Sequence, residues 1–600
     1  MKKTKVAALL AGLTSLSILL AGCESESGGD NASGSQPTDN CTQVSIATSP
    51  EKVNMMNKMG QVFKEQAKDY GDCFTITALS VNSGDAAVEL SKASDKWSLT
   101  TNERLWPTMW SPASSFWTDR VKLSGGNKML SENTSFVYTP MVFGMPEGMA
   151  DALNYPKKPL GIKDMEQVIS AKDGWGSKGH PLWGEFKVSK TNPNSSTSGL
   201  STILMQSYAN AGKDKKLTVQ DVDKAKSFSQ SFEKGAIHYG DTTGQVLTQM
   251  YQKEGDGNNY VSAVAMEETS LINYNQGNPD SHTVAEGETL TPPQEKLVAV
   301  YPKEGSLTSD NPVTTLNAQW VTETQKEIAN DFQKFLTGAE AQKLAPKYGF
   351  RPVDKKVDLG DLFSSKYGVQ SKIPNKTLEK PSEAVVGQAI DQWEEIRKPS
   401  SVLQLIDLSG SMEEKTSEGK TKLDGAIRGV NSTLGNFRSN DKVGVWTFTT
   451  GISSSLGKNL YELREYDDLE GDGETIKKQM NSLPGAVKGG TPLYDAISEG
   501  YDYMSEHAEP GRINAVIVLT DGEDTDSQIS LQSLLVKLNS DSQREGVEAS
   551  KQVRVFPIAY GESADKDILT QIANASGGQV FDASDPTQLD RVFASVIRNF

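Results

Sequence analysis

The sequence predicts an α/β protein built as two modules in tandem, a two-lobed module followed by a doubly wound domain. Three observations carry this. Short apolar runs alternate with helical stretches from residue 41 to about 363. The alternation pauses over 364–400 and restarts at Ser401. Such a rhythm implies largely parallel sheets with helices on their faces. At 600 residues the chain is long enough for several cores.

The first residues stand apart from that rhythm. Met1-Lys2-Lys3-Thr4-Lys5 is basic, 6–20 is apolar, and the run ends in Leu20-Ala21-Gly22-Cys23. The apolar stretch is too short and too rich in small residues for a membrane span. These residues resemble a bacterial lipoprotein signal, with 1–22 as the cleaved peptide. The resemblance implies acylation of Cys23, whose two or three chains make a stable anchor. It therefore implies an extracytoplasmic protein on the cell membrane, or on the outer membrane of a cell that has one. Residues 23–40 are rich in Ser, Gly, Asp and Asn and read as a flexible tether.

Two of the three cysteines follow the tether. Cys41 precedes the strand-like Val44-Ser45-Ile46-Ala47, and Cys73 precedes a second run from Phe74. Neighbouring parallel strands place both at one sheet edge, so a Cys41–Cys73 disulfide is expected in an exported protein. Between them, Met55, Met56, Met59, Val62 and Phe63 recur at helical spacing.

Four phrases then occur in order: 110–115 (WSPASS), 191–199 (TNPNSSTSG), 301–305 (YPKEG) and 348–352 (YGFRP). Together they resemble type II periplasmic solute-binding proteins. The resemblance implies two α/β lobes around a cleft over 41–363. Residues 135–143 would make the first crossing between lobes, and residues near 298–301 the return. Thr48, Ser49, Asn82, Ser83, Ser114 and Ser115 sit at strand-to-helix turns of the first lobe. Ser195, Ser196, Thr197 and Ser198 precede a helical run in the second. Helix amino termini with free N–H groups receive anions, so this set is a candidate site for a small solute or an oxyanion. Ser and Asn also cap helices with no ligand present.

Residues 364–400 form a connector with one helix, 382–397. Val385, Val386, Ala389, Ile390, Trp393 and Ile396 share a face, and Ser382 is a candidate cap. The helix either packs on the lobes or acts as a strut between modules. From Ser401, strands are expected at 402–406, 443–448, 515–519, 553–558 and near 580–581. Helices are expected at 423–437, 493–505, 531–538, 568–573 and 589–597.

The strand at 402–406 runs into Asp407-Leu408-Ser409-Gly410-Ser411. Ligands of open α/β sheets bind beyond the carboxyl ends of strands. Thr491 follows two glycines and precedes Pro492 at a helix start; Asp521 follows another buried strand. Two carboxylates and three hydroxyls suit a hard cation such as Mg²⁺, Mn²⁺ or Ca²⁺. Asp-x-Ser-x-Ser with a later Thr and Asp resembles the metal-ion-dependent adhesion site of the von Willebrand factor A (VWA) domain. The resemblance implies direct ligation by Ser409, Ser411 and Thr491. Asp407 and Asp521 would act mainly through water, and one position would stay open for an acidic residue of a partner protein. Glu523, Asp524 and Asp526 form either an acidic rim, a second cation site or a solvated loop.

Net charge is −17. Residues 401–600 hold 19 Lys and Arg against 31 Asp and Glu, so most of the excess acid lies there. With no basic patch to answer phosphates, the charge distribution argues against nucleic acid as a partner. The four histidines are scattered, and neither a P-loop nor a nucleophile elbow is present. The expectation is a binding protein, not an enzyme: a lipid-anchored lipoprotein that grips a protein through metal and holds a small ligand. The alternatives are a solute receptor for an ABC-type transporter with an accessory VWA domain, and a cell-envelope assembly factor.

Overall fold

Apolar and β-branched residues at Thr42–Thr48 and Phe74–Ser80 pair as parallel strands, Thr42 opposite Phe74. The computed structural model describes residues 41–600 apart from 68–69, 71–72, 101, 253–260, 286, 455, 469–472, 484–486 and 543–550. The signal segment, Cys23 and the tether lie outside the described residues. Cys41 and Cys73, at the shared end of the first two strands, are disulfide-bonded as expected.

The first lobe has a five-stranded sheet, ordered Phe74–Ser80, Thr42–Thr48, Met109–Ser111, Pro312–Thr315 and Thr134–Ser135. The second has seven strands around the long Val137–Pro146. The first crossing falls at 135–137, as expected. The return does not fall at 298–301. Leu297–Val300 pairs with Val137–Pro146 inside the second lobe, and the chain crosses back between Thr308–Ser309 and Pro312–Thr315. The cause is burial: Leu297, Ala299 and Val300 pack in second-lobe cores, which holds that strand there.

The connector helix forms as Glu383–Ile396. Ser382 occupies the cap position but its side chain makes no capping bond. The expected apolar face is buried, with Trp393 1% exposed. It packs on the second-lobe helices Thr197–Ala211 and Val219–Glu233. Beneath it, Glu233 is sealed from water and accepts from Lys190, Gln206, Tyr239 (2.9 Å) and Trp393.

The last module is a six-stranded sheet ordered Gly457–Asp468, Lys442–Ser454, Ser400–Asp407, Ile513–Thr520, Val553–Tyr560 and Phe581–Ala583. All neighbours are parallel except the first pair, an antiparallel hairpin that adds an edge strand not expected from the sequence. Helices lie at Lys422–Thr433, Glu474–Met480, Leu493–Glu506, Leu531–Ser542, Lys566–Ser576 and Leu589–Ile597. Among the described residues no helix is long and apolar enough to cross a membrane.

The Glu233 network yields a test. Lys190→Met leaves a buried carboxylate without its cation, which typically costs about 3–5 kcal/mol. Urea unfolding should show that loss. The double variant Lys190→Met/Glu233→Gln should recover most of it, because no unpaired charge remains.

Candidate metal centre and interlobe cleft

Asp407 ends a strand whose eight residues are all buried. Its Oδ1 accepts the Ser409 amide at 2.7 Å and its Oδ2 the Thr520 hydroxyl at 2.7 Å. Burial pushes its carboxyl up to about 7, against these two bonds and with the help of nearby Asp521. Ser409 Oγ and Ser411 Oγ lie 3.0 Å apart, and Ser411 donates to Asp521 Oδ1 at 2.7 Å. Four of the five expected residues are thus in one hydrogen-bonded cluster.

Thr491 is brought to the same end by the glycines before it. Gly410 N donates to Gly489 O at 3.0 Å, tying the two loops together. Gly489 has φ +74°, and a Cβ there would lie 2.3 Å from Thr450 Oγ1, so only glycine fits. A Cβ on Gly522 would lie 3.7 Å from Thr491 Oγ1, which sets that hydroxyl beside Asp521. Among the described residues the Thr491 hydroxyl has no hydrogen-bond partner, while its amide donates to Thr525 Oγ1 at 2.9 Å. Pro492 is the cap residue of helix Leu493–Glu506 and not its first turn, one position earlier than the sequence indicates.

Two carboxylates and three hydroxyls, all at the carboxyl end of one sheet, fit a hard divalent cation that keeps some of its waters. One cation already stands beside them. Lys422 Nζ lies 2.8 Å from Asp521 Oδ2 and 2.6 Å from Glu414 Oε2. Burial opposes its charge, but Asp521 and Glu414 outweigh that and hold its pKa above the ordinary lysine value. Sequence reasoning missed Lys422, because a lysine at a helix start carries no spacing signal. The acidic loop after Asp521 is largely occupied. Asp524 accepts the Tyr494 amide at 3.2 Å, and Asp526 accepts the Thr525 hydroxyl at 2.7 Å.

In the two-lobed module the cleft is shut to a cavity of about 40 Å³, room for little more than water. Ser49, Asn82, Ser83, Ser195, Ser196 and Thr197 line it; Thr48, Ser114, Ser115 and Ser198 do not. Much of the expected ligand chemistry is engaged within the protein. Ser83 Oγ accepts the Ala113 amide at 3.1 Å, and Ser114 Oγ caps the Phe116 amide. Thr48 donates to Ser111 O, the Ser115 amide to Asp310, and Ser198 lies 2.7 Å from Thr191 Oγ1. Across the lobes, Trp117 Nε1 donates to Thr197 Oγ1 at 2.7 Å and Gly84 N to Ser195 O at 2.9 Å.

The lining also holds Glu51, Asp241, Glu267 and Asp280, and no Lys or Arg. Burial, with the Glu51 carboxylate adding to it, pushes Glu267 up to about 8. Lys52 turns its ammonium to Ser111 O (2.9 Å) and Pro112 O (2.7 Å), and burial pushes it down to about 7. No side chain of the lining offers positive charge to the oxyanion expected from the sequence, and of its acids Asp241 is paired with Arg598 at 3.3 Å. The acids escaped the sequence reading because Glu267 lies 216 residues from Glu51.

Fold and sites together define a two-lobed solute-binding module joined to an α/β domain with an oxygen-ligand centre. The chain belongs to the bacterial extracellular solute-binding protein family, matched over residues 44–351. Residues 402–595 match the von Willebrand factor type A domain. Both families are binding domains. Two uncharacterized proteins of Mycobacterium tuberculosis, from strains CDC 1551 / Oshkosh and ATCC 25618 / H37Rv, are each 21% identical over 532 residues, covering 86% of this chain and 72% of each relative. Among solved structures, a periplasmic thiamin binding protein is 15% identical, with a TM-score of 0.40, covering 61% of this chain and 99% of its own. A von Willebrand factor type A protein from Catenulispora acidiphila is 18% identical, with a TM-score of 0.27, covering 34% of this chain and 42% of its own.

The shut cleft can be tested at one position. A Cβ on Gly84 would meet Asn194 O at 2.2 Å and Ser195 Cα at 2.6 Å, both backbone atoms of the other lobe. Gly84→Ala should therefore hold the lobes apart. Small-angle scattering should show a larger radius of gyration than wild type; an unchanged profile would mean the lobes do not meet there.

Proposed function

We propose that this protein is a lipid-anchored extracytoplasmic lipoprotein that binds a partner protein through a divalent metal in its VWA domain. Its two-lobed module takes a small neutral or cationic solute. The observation that carries the first part is the convergence of the Asp407, Ser409, Ser411 and Asp521 cluster, with the Thr491 hydroxyl beside it, at the carboxyl end of one sheet. Ser409, Ser411 and Thr491 would hold the ion, with Asp407 and Asp521 behind them. Mg²⁺ would supply a Lewis-acidic position for a carboxylate of the partner. Lys422 reduces the negative charge that the site presents, so the ion's affinity depends on the hydroxyls more than on charge alone. The acyl chains on Cys23 would keep both modules at the membrane surface.

Delivery of a solute to a transporter is a second reading, favoured by the family match over 44–351. It differs in requiring the cleft to open and release its load to a membrane protein.

Capture from solubilised cell envelope, in Mg²⁺ and in EDTA, tests the proposal. Wild type should retain a protein partner only with Mg²⁺. Thr491→Ala should lose both capture and the calorimetric Mg²⁺ signal, yet melt within about 2 °C of wild type, since it deletes no internal hydrogen bond. Capture that ignores EDTA would refute metal-dependent binding.

A further inference from the structure

One place where the VWA domain touches the solute module is the end of its last helix. Arg598 follows helix Leu589–Ile597, and its guanidinium lies between carboxylates of different lobes. Nη2 is 2.6 Å from Asp85 Oδ1, in the first turn of the first-lobe helix Ser83–Ser91. Nη1 is 3.3 Å from Asp241 Oδ1, just after the second-lobe strand Ala236–Gly240. Asp241 also lines the cleft cavity, and Asp85 is next to Gly84, whose amide bonds the opposite lobe. Burial works against the Arg598 charge, but the two carboxylates outweigh it and raise its pKa above the ordinary arginine value.

The same segment is fastened to the second lobe by other bonds. Ser595 donates to Asp241 Oδ2 at 2.7 Å, Asn192 Nδ2 to Arg598 O at 3.1 Å, and Tyr239 N to Asn599 O at 3.0 Å. The helix therefore rides on the second lobe and reaches the first through the Arg598 guanidinium, with Arg591 adding a charge interaction with Asp85. Two-lobed modules of this type open by hinge rotation of one lobe against the other. Here the first lobe cannot swing away while Asp85 remains bound to a residue carried by the second.

We propose that Arg598 is a latch by which the VWA domain holds the solute cleft shut, so that opening requires Arg598 to leave Asp85. Cleft state and the seating of the VWA helix are then linked. Whatever displaces that helix favours the open cleft, and a solute that favours closure favours the seated helix, by the reciprocity of coupled equilibria. With Arg598 gone, Asp85 and Asp241 would also face each other as like charges, which adds to opening. The inference does not depend on which solute the cleft takes.

Hydrogen exchange of the full chain, read by mass spectrometry, tests this. Two amides report on different contacts: Gly84, bonded across the lobes, and Tyr239, bonded to the VWA segment. Arg598→Ala should speed exchange in peptides over 83–87 by at least about tenfold. Asp85→Asn removes the first-lobe partner alone, so it should speed the same peptides and leave those over 236–240 at the wild-type rate. Unchanged exchange at 83–87 in both variants would overturn the latch. So would Asp85→Asn loosening 236–240 equally, which would mark the contact as general packing.

Discussion

A carboxylate sealed from water must be given a cation and donors, or its burial is prohibitively costly. Glu233 meets that demand with partners from four separate stretches: Lys190, Gln206, Tyr239 and Trp393. Satisfying it fixes the connector helix on the second lobe, because Trp393 belongs to that helix. The consequences run outward. Lys398 N donates to the Tyr239 hydroxyl at 3.1 Å, Arg397 pairs with buried Asp441 at 2.9 Å, and Ser400 N donates to Asp441 at 2.7 Å. The central strand of the VWA sheet therefore starts at a fixed point on the second lobe. Arg554, near the start of another strand, bonds Ile237 O of the same lobe at 3.2 Å. Amino ends of the sheet abut the solute module, and carboxyl ends point away. At about 3.3 Å per residue, Asp407 is displayed roughly 20–25 Å from the joint.

That geometry explains what was legible in the sequence. Buried parallel strands read as unbroken apolar runs, so 402–406 and 515–519 declare themselves, and the residues following each run must gather at one end. Asp407, Ser409, Ser411, Thr491 and Asp521 were found on that logic plus a local pattern. The strand Gly457–Asp468 was not, because GKNLYELREYDD is mostly polar and pairs as an antiparallel edge with one neighbour. Lys422 and the cleft acids went unseen for another reason. Each depends on a long side chain meeting a residue distant in sequence, and a one-dimensional pattern holds no record of that. The hydroxyls of 195–198 show the converse: Ser and Thr at a helix start were legible, but whether they face a ligand or the opposite lobe was not.

The cleft and the metal centre face different demands. The cleft is shut by backbone meeting backbone at Gly84 and Ser195, so glycine is needed for closure and not for ligand contact. Its lining gathers several acids, and withdrawal from water disfavours their charged forms, as the raised pKa of Glu267 shows, unless a positive group stands near. The candidate metal centre instead has both carboxylates already bonded, to Ser409, Thr520, Ser411 and Lys422. A pre-bonded set of this kind holds its loops in place by itself, and on the proposed reading an entering ion would exchange hydrogen bonds for coordination.

Between these sites the packing is continuous. Helix Lys422–Thr433 begins at Lys422, whose ammonium holds Asp521. Its Gly429 approaches Phe593 of helix Leu589–Ile597 so nearly that a Cβ would fall 2.3 Å from the ring, and Arg428 pairs with Asp590 at 2.9 Å. The second helix is followed by Arg598, which bridges Asp85 and Asp241 of the two lobes. Contact alone is no proof of coupling. Glycine-mediated packing does, however, leave little slack, because there is no flexible side chain at the crossing to absorb a shift. A displacement of the first helix at the metal centre would have to be taken up either by the Arg428–Asp590 pair, which is partly exposed and weak, or by movement of the second helix. Such movement is resisted by the bonds of Ser595, Arg598 and Asn599 to the second lobe and by the bridge from Arg598 to Asp85, and that last bridge also spans the lobes.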